Sequence, residues 1–128
     1  MSHAGLMQLL VEQLDVARRQ GRTLTYRQLV DTLPLAVPRM QQLTACLEQL
    51  AVKEMRKGWP LRSALVVSQA GSGLPRQGFF QHLVEHGYLP SLPDAAGQQA
   101  WHAQELLRVF SFNYPGEDRC SGGNGGQN

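Results

Sequence analysis

Residues 38–58 read PRMQQLTACLEQLAVKEMRKG, and the organisation of the whole chain follows from them. Pro38 suits the first helical position, where its missing N–H leaves no hydrogen bond unmade. Met40, Leu43, Leu47, Leu50 and Met55 then form an apolar stripe along one side of a helix, and Gly58 closes it. Just upstream, Thr25-Tyr26-Arg27-Gln28 reads as a capping box. The Thr25 hydroxyl takes a free backbone N–H three residues on, and the Gln28 side chain reaches back. A brief helix runs from there through Leu29 and Val30 and ends at Pro34. Two helices joined by a turn predict a helix-turn-helix.

Working outward, residues 5–19 place Leu6, Leu10, Leu14 and Ala17 on one face of a packing helix that Gly21 stops. Arg22-Thr23-Leu24 reads as a single extended rung. Beyond Gly58 the period changes. Ser63-Ala64-Leu65-Val66-Val67-Ser68 is a β-branched run of strand length, followed by the Gly-rich turn Gln69-Ala70-Gly71-Ser72-Gly73. Residues 74–78 hold Pro75 and Gly78 without alternation, so a second wing strand is not expected and the wing reads as a loop. Phe79, Phe80, Leu83 and Val84 predict a short helix ending at Gly87, and residues 89–93, with two prolines, a connector. A last helix is expected over residues 94–110. The predicted class is mainly α with a small β element. Residues 1–88 form a winged-helix-like domain, 89–112 a connector and C-terminal helix packed on it, and 113–128 a Gly-rich disordered tail.

Composition narrows the class without naming an activity. A chain of 128 residues with 42% hydrophobic content is enough for one domain that folds without a metal or disulfide staple. No apolar run approaches the roughly 18 residues that cross a bilayer, so no membrane association is expected. The first residues lack a basic segment followed by an apolar core, and two distant cysteines, Cys46 and Cys120, fit a reducing cytoplasm. Residues 1–89 hold 10 basic and 6 acidic side chains, while residues 90–128 hold 2 basic and 4 acidic ones. That bias permits a nucleic-acid partner without requiring one.

Residues 20–88 resemble the DNA-binding domain of O6-alkylguanine-DNA alkyltransferases and the alkyltransferase-like proteins. Leu24-Thr25-Tyr26-Arg27-Gln28-Leu29 is similar to the family's opening, where a Ser/Thr-Tyr pair starts the helix-turn-helix. Pro38-Arg39-Met40 falls where the family carries its arginine finger. Leu65-Val66-Val67, Gly71-Ser72-Gly73 and the apolar helix ending Glu85-His86-Gly87 resemble the stretch after its reactive motif. The resemblance implies that Arg39 enters a duplex through the minor groove in place of an extruded nucleotide, while Tyr26 helps rotate its phosphate. The family's Pro-Cys-His-Arg is missing: the region reads Pro60-Leu61-Arg62-Ser63-Ala64-Leu65. Neither cysteine has a neighbouring base, so alkyl transfer is not expected. Gln41 and Gln42 replace the family's small residues on the recognition helix. As a whole the chain resembles small bacterial proteins.

The residues alone give each position two readings. Arg39 is a phosphate or groove contact at a helix N-terminus, or a solvated arginine. Gln41 and Gln42 reach base edges, or are ordinary exposed glutamines. Tyr26 touches DNA or buries its ring. Arg62, Ser72 and Arg76 flank the wing and hold the backbone, or simply face water. Lys53, Arg56 and Lys57 complement the helix dipole more simply than they contact DNA. His82 and His86, four apart, have metal-ligand spacing but no third ligand, so no metal or other cofactor is expected. No constellation justifies a catalytic mechanism. The leading expectation is a non-enzymatic protein that binds double-stranded DNA. The alternative is a protein-interaction module that uses the C-terminal helix (Trp101, Leu106, Val109, Phe110 and Phe112) for a partner or a second copy. Those residues equally fit a last layer of core.

Overall fold

The structure, a computed structural model, describes residues 3–69 and 73–115. It is mainly helical with one small sheet. Helix α1 (His3–Arg19) buries Leu6, Met7, Leu10, Leu14 and Ala17. Strand β1 (Leu24–Thr25) leads directly into α2 (Tyr26–Thr32). The capping box forms as expected. Gln28 donates its N–H to Thr25 Oγ1 at 3.1 Å, and Thr25 donates its own N–H to Gln28 Oε1 at 2.8 Å. Leu33 closes α2 by donating to the Leu29 carbonyl, ahead of Pro34.

Helix α3 (Arg39–Lys57) begins one residue later than expected. Pro38 is its N-cap rather than its first turn, because ψ of 122° keeps it extended. Gly58 ends the helix at φ 71°, a left-handed conformation that a side chain would strain. The buried stripe of α3 is Leu43, Cys46, Leu47, Leu50, Ala51 and Glu54, whereas Met40 and Met55 are only half-buried.

The strand expected over residues 63–68 is mostly something else. A 3-10 turn occupies Arg62–Leu65, and only Val66–Val67 form a strand, β2. Residues 62–67 are all buried, so the apolar run 64–67 records burial on every side rather than the alternation of an exposed strand. β2 pairs in parallel with β1, Leu24 against Val66 and Thr25 against Val67. Ser68 donates to the Leu74 carbonyl at 2.8 Å and so returns the chain toward α4 (Gln77–Glu85). After the proline-bearing connector, Asp94 caps α5 (Ala95–Ser111) by accepting the Gly97 N–H at 2.8 Å.

The 3-10 turn lies at the centre of the molecule, packed by α1, α3 and α5. Arg62 is buried there, its Nε 2.7 Å from Glu54 Oε2 and its Nη1 3.0 Å from Asp15 Oδ1. Its guanidinium also lies 4.1 Å from the Tyr114 ring centroid. Burial pushes the Glu54 carboxyl up to about 7 despite the Arg62 guanidinium beside it. Burial disfavours the Arg62 charge, but Glu54 and Asp15 outweigh it and hold Arg62 above its ordinary value. Glu105 from α5 accepts the Leu61 N–H at 2.8 Å, and His102 contacts the Ala64 carbonyl at 2.8 Å.

The C-terminal boundary also moves. The tail was expected to begin at Asn113, yet Tyr114 is 3% exposed and donates its hydroxyl to the Pro60 carbonyl at 2.8 Å. Apolar contact with Trp59 and Phe112 holds the ring in place. The rest of the expected tail, residues 116–128 with Cys120, lies outside the described residues.

Candidate nucleic-acid interface

The residues singled out from the sequence separate into three groups. Arg39, Gln41 and Arg76 are exposed, and Arg39 stands in the first turn of α3. Tyr26 and Gln42 are already engaged. The Tyr26 oxygen accepts the Arg76 backbone N–H at 3.1 Å, and the Gln42 side chain accepts the Ala36 N–H to close the α2–α3 turn. Gln42 is therefore a turn residue whose side-chain oxygen is engaged. The reading of Arg62 is corrected. A guanidinium committed to two carboxylates and an aromatic ring inside the core does not reach DNA phosphates. Ser72 lies outside the described residues.

Tyr26 and Arg76 are brought together by the fold. The Arg76 guanidinium lies 5.6 Å from the Tyr26 ring centroid, within cation–π range, and its backbone N–H holds the phenol oxygen. Since the phenol accepts that bond, its own hydrogen is left to donate elsewhere. Burial raises the Tyr26 phenol above its ordinary value, so it stays protonated.

This pair forms one wall of a pocket of about 180 Å³ between α3 and α4. Leu47 and Ala51 from α3 and Phe79 from α4 supply apolar surface, while Thr44, Glu48 and His82 add polar groups. Ser63, from the 3-10 turn, completes the lining. Its side-chain oxygen is buried and has no hydrogen-bond partner among the described residues. A buried hydroxyl without a partner costs about 1–3 kcal/mol, and Ser63 carries one beside the pocket. Sequence reading missed this pocket. Ser63 reads as part of a strand and His82 as half of a metal site, and only the folded arrangement of α3, α4 and the 3-10 turn joins them.

Two shallower grooves flank the pocket. One, of about 450 Å³, is lined by Tyr26, Arg27, Val30, Met40 and Arg76 among others. The other, of about 430 Å³, is lined by Glu48, Lys53, Arg56 and His82 with the small side of α3. Among the described residues, Arg27, Arg39, Lys53, Arg56 and Arg76 have no ion pair, unlike Arg18, Arg62 and Arg108.

The remaining chemistry is quiet. Cys46 is buried in α3, and burial pushes its thiol up, away from a reactive thiolate. The His82 and His86 rings lie tilted with centroids 4.4 Å apart, but no group of three metal-ligating side chains exists among the described residues. Burial holds the His82 imidazole below its ordinary value. No helix among the described residues is long and apolar enough to cross a membrane.

Most large apolar residues of the C-terminal helix pack against the fold, while Leu107 is 64% exposed. Val109 is fully buried, Leu106 and Phe110 pack on the core, and Trp101 meets Phe79, Phe80 and Tyr88. Phe112 meets Trp59 and Tyr114. The chain matches no family model, no curated protein and no solved structure.

Proposed function

We propose that this chain is a non-enzymatic, winged-helix-type protein that binds double-stranded DNA and recognises an altered or extruded base. The single observation that carries the proposal is the pocket beside Tyr26 and Arg76, which joins apolar and polar side chains in one concavity. Its lining suits a planar aromatic ring: Tyr26, Leu47, Ala51 and Phe79 give apolar surface, and Thr44, Glu48 and His82 add polar groups. Base–aromatic stacking contributes about 1–3 kcal/mol, so such a seat offsets much of the cost of taking a base out of its stack. The unpaired Arg39, Arg27 and Arg76 lie on the elements that border it and supply phosphate contacts.

Binding without chemistry fits the same residues. Ser63 has no histidine or carboxylate bonded to its hydroxyl, and Cys46 is not exposed as a nucleophile. The interaction-module alternative draws no comparable support, since the aromatic residues it would use are packed against the body of the protein.

Fluorescence anisotropy of a labelled duplex, with and without a mismatch, tests the proposal. Wild type binds, more tightly to the mismatched duplex, and affinity falls with salt as counterions return to the DNA. Arg39→Ala weakens both complexes, whereas Thr44→Phe, which fills the pocket, removes only the preference for the mismatch. Absence of binding at low salt would end the reading.

A further inference from the structure

We infer that the groove between α3 and α4, carrying Lys53 and Arg56, is a second phosphate-binding stretch that holds the nucleic-acid backbone on the far side of the pocket from Arg27 and Arg76. The inference rests on the DNA reading above and extends it from one point of contact to a path. Three concavities share their walls in sequence. The Arg27 groove shares Tyr26 and Arg76 with the pocket, and the pocket shares Glu48 and His82 with the Lys53 groove. The pocket is therefore the middle of a continuous depression with unpaired cations at both ends.

The helix geometry supports this division. Gln49, Val52, Lys53 and Arg56 recur at spacings of three, one and three, so they occupy one face of α3 and all line the same groove. Glu48 is the one carboxylate in the groove, and it sits at the junction with the pocket. There it repels a phosphate but accepts a hydrogen bond from an amino group on a seated base. Lys53 and Arg56 lie more than one turn farther along, and neither has a carboxylate partner among the described residues. Lys57, the neighbouring cation, behaves differently. Its Nζ lies 4.3 Å from the Trp59 ring centroid, and it does not line the groove. Dipole complementation at the end of α3 accounts for Arg56 and Lys57 equally. It does not account for Lys53 and Arg56 facing the groove.

Each cation that neutralises a phosphate contributes about 0.9 to the slope of log affinity against log salt. The test is a salt titration of the full chain on a labelled duplex, read by anisotropy, for wild type, Lys53→Gln with Arg56→Gln, and Lys57→Gln. All three side chains are exposed, so melting by circular dichroism should be alike in each. The expected result is a slope about 1.8 shallower for the double variant and wild-type behaviour for Lys57→Gln. If wild type binds but the double variant keeps its slope, or if Lys57→Gln lowers the slope by as much per charge, the second stretch is overturned and the DNA reading stands. If wild type does not bind, both fall together.

Discussion

Glu54 is the residue whose environment differs most from what its type suggests. It is 1% exposed in the middle of an apolar helix stripe, bonded through both oxygens to Arg62. The sequence marks no role for Glu54 and reads Arg62 as a wing residue that holds the DNA backbone or faces water. The partners are 8 and 47 residues from Arg62, and no local pattern reports such pairings. Because burial raises the Glu54 carboxyl to about 7, above its unfolded value, the folded state binds more protons than the unfolded one across roughly pH 4.5–7. The stabilisation this gives is fully present below that window and is lost as pH rises through it. Burial lowers His102 and His82, which act in the opposite sense below their ordinary range, so the Glu54 contribution is isolated by difference. The expected outcome is that wild type loses about 1–3 kcal/mol relative to Glu54→Gln between pH 5 and 7 in urea titrations. A pH-independent difference would show that Glu54 titrates as an ordinary carboxyl.

At the scale of elements, the helix boundaries were the most legible part of the chain. The α2 start is written in Thr25 and Gln28, and the α3 end in Gly58, because caps satisfy backbone groups with side chains adjacent in sequence. Thr25→Ala removes one half of the box and should destabilise the protein by about 0.5–2 kcal/mol, measured by urea denaturation. Thr25→Ser should restore most of that loss, since the hydroxyl is the group in use. Segments buried on every side were the least legible. The 3-10 turn and β2 share one apolar run, and burial removes the periodicity that would tell turn from strand. The pocket was unreadable for a related reason. Tyr26, Thr44, Ser63, Phe79 and His82 come from four elements, and their proximity exists only after folding.

For the whole molecule, the decisive packing is at the C-terminal side. Tyr114 fills the space under Trp59, stacks on the Arg62 guanidinium and bonds to Pro60. The polar, Gly-rich composition that follows concealed it, since a single aromatic beside Pro115 carries no periodicity. Tyr114→Ala should cost about 3–5 kcal/mol and lower the melting temperature, as for other large aromatic truncations in cores. Tyr114→Phe keeps the ring and should cost about 1 kcal/mol for the lost bond to Pro60. Equal losses in the two variants would place the ring outside the core.

The pairing of β1 with β2 joins Leu24 to Val66 across the whole of α2 and α3. Most other contacts are made within or between neighbouring helices, which form early and locally. Closing that loop, like those that bring α1 and α5 onto the 3-10 turn, costs entropy that the short ladder alone does not offset. The two strands thus depend on the long-range packing of α1, α3 and α5 around the 3-10 turn to keep their ends within reach of each other.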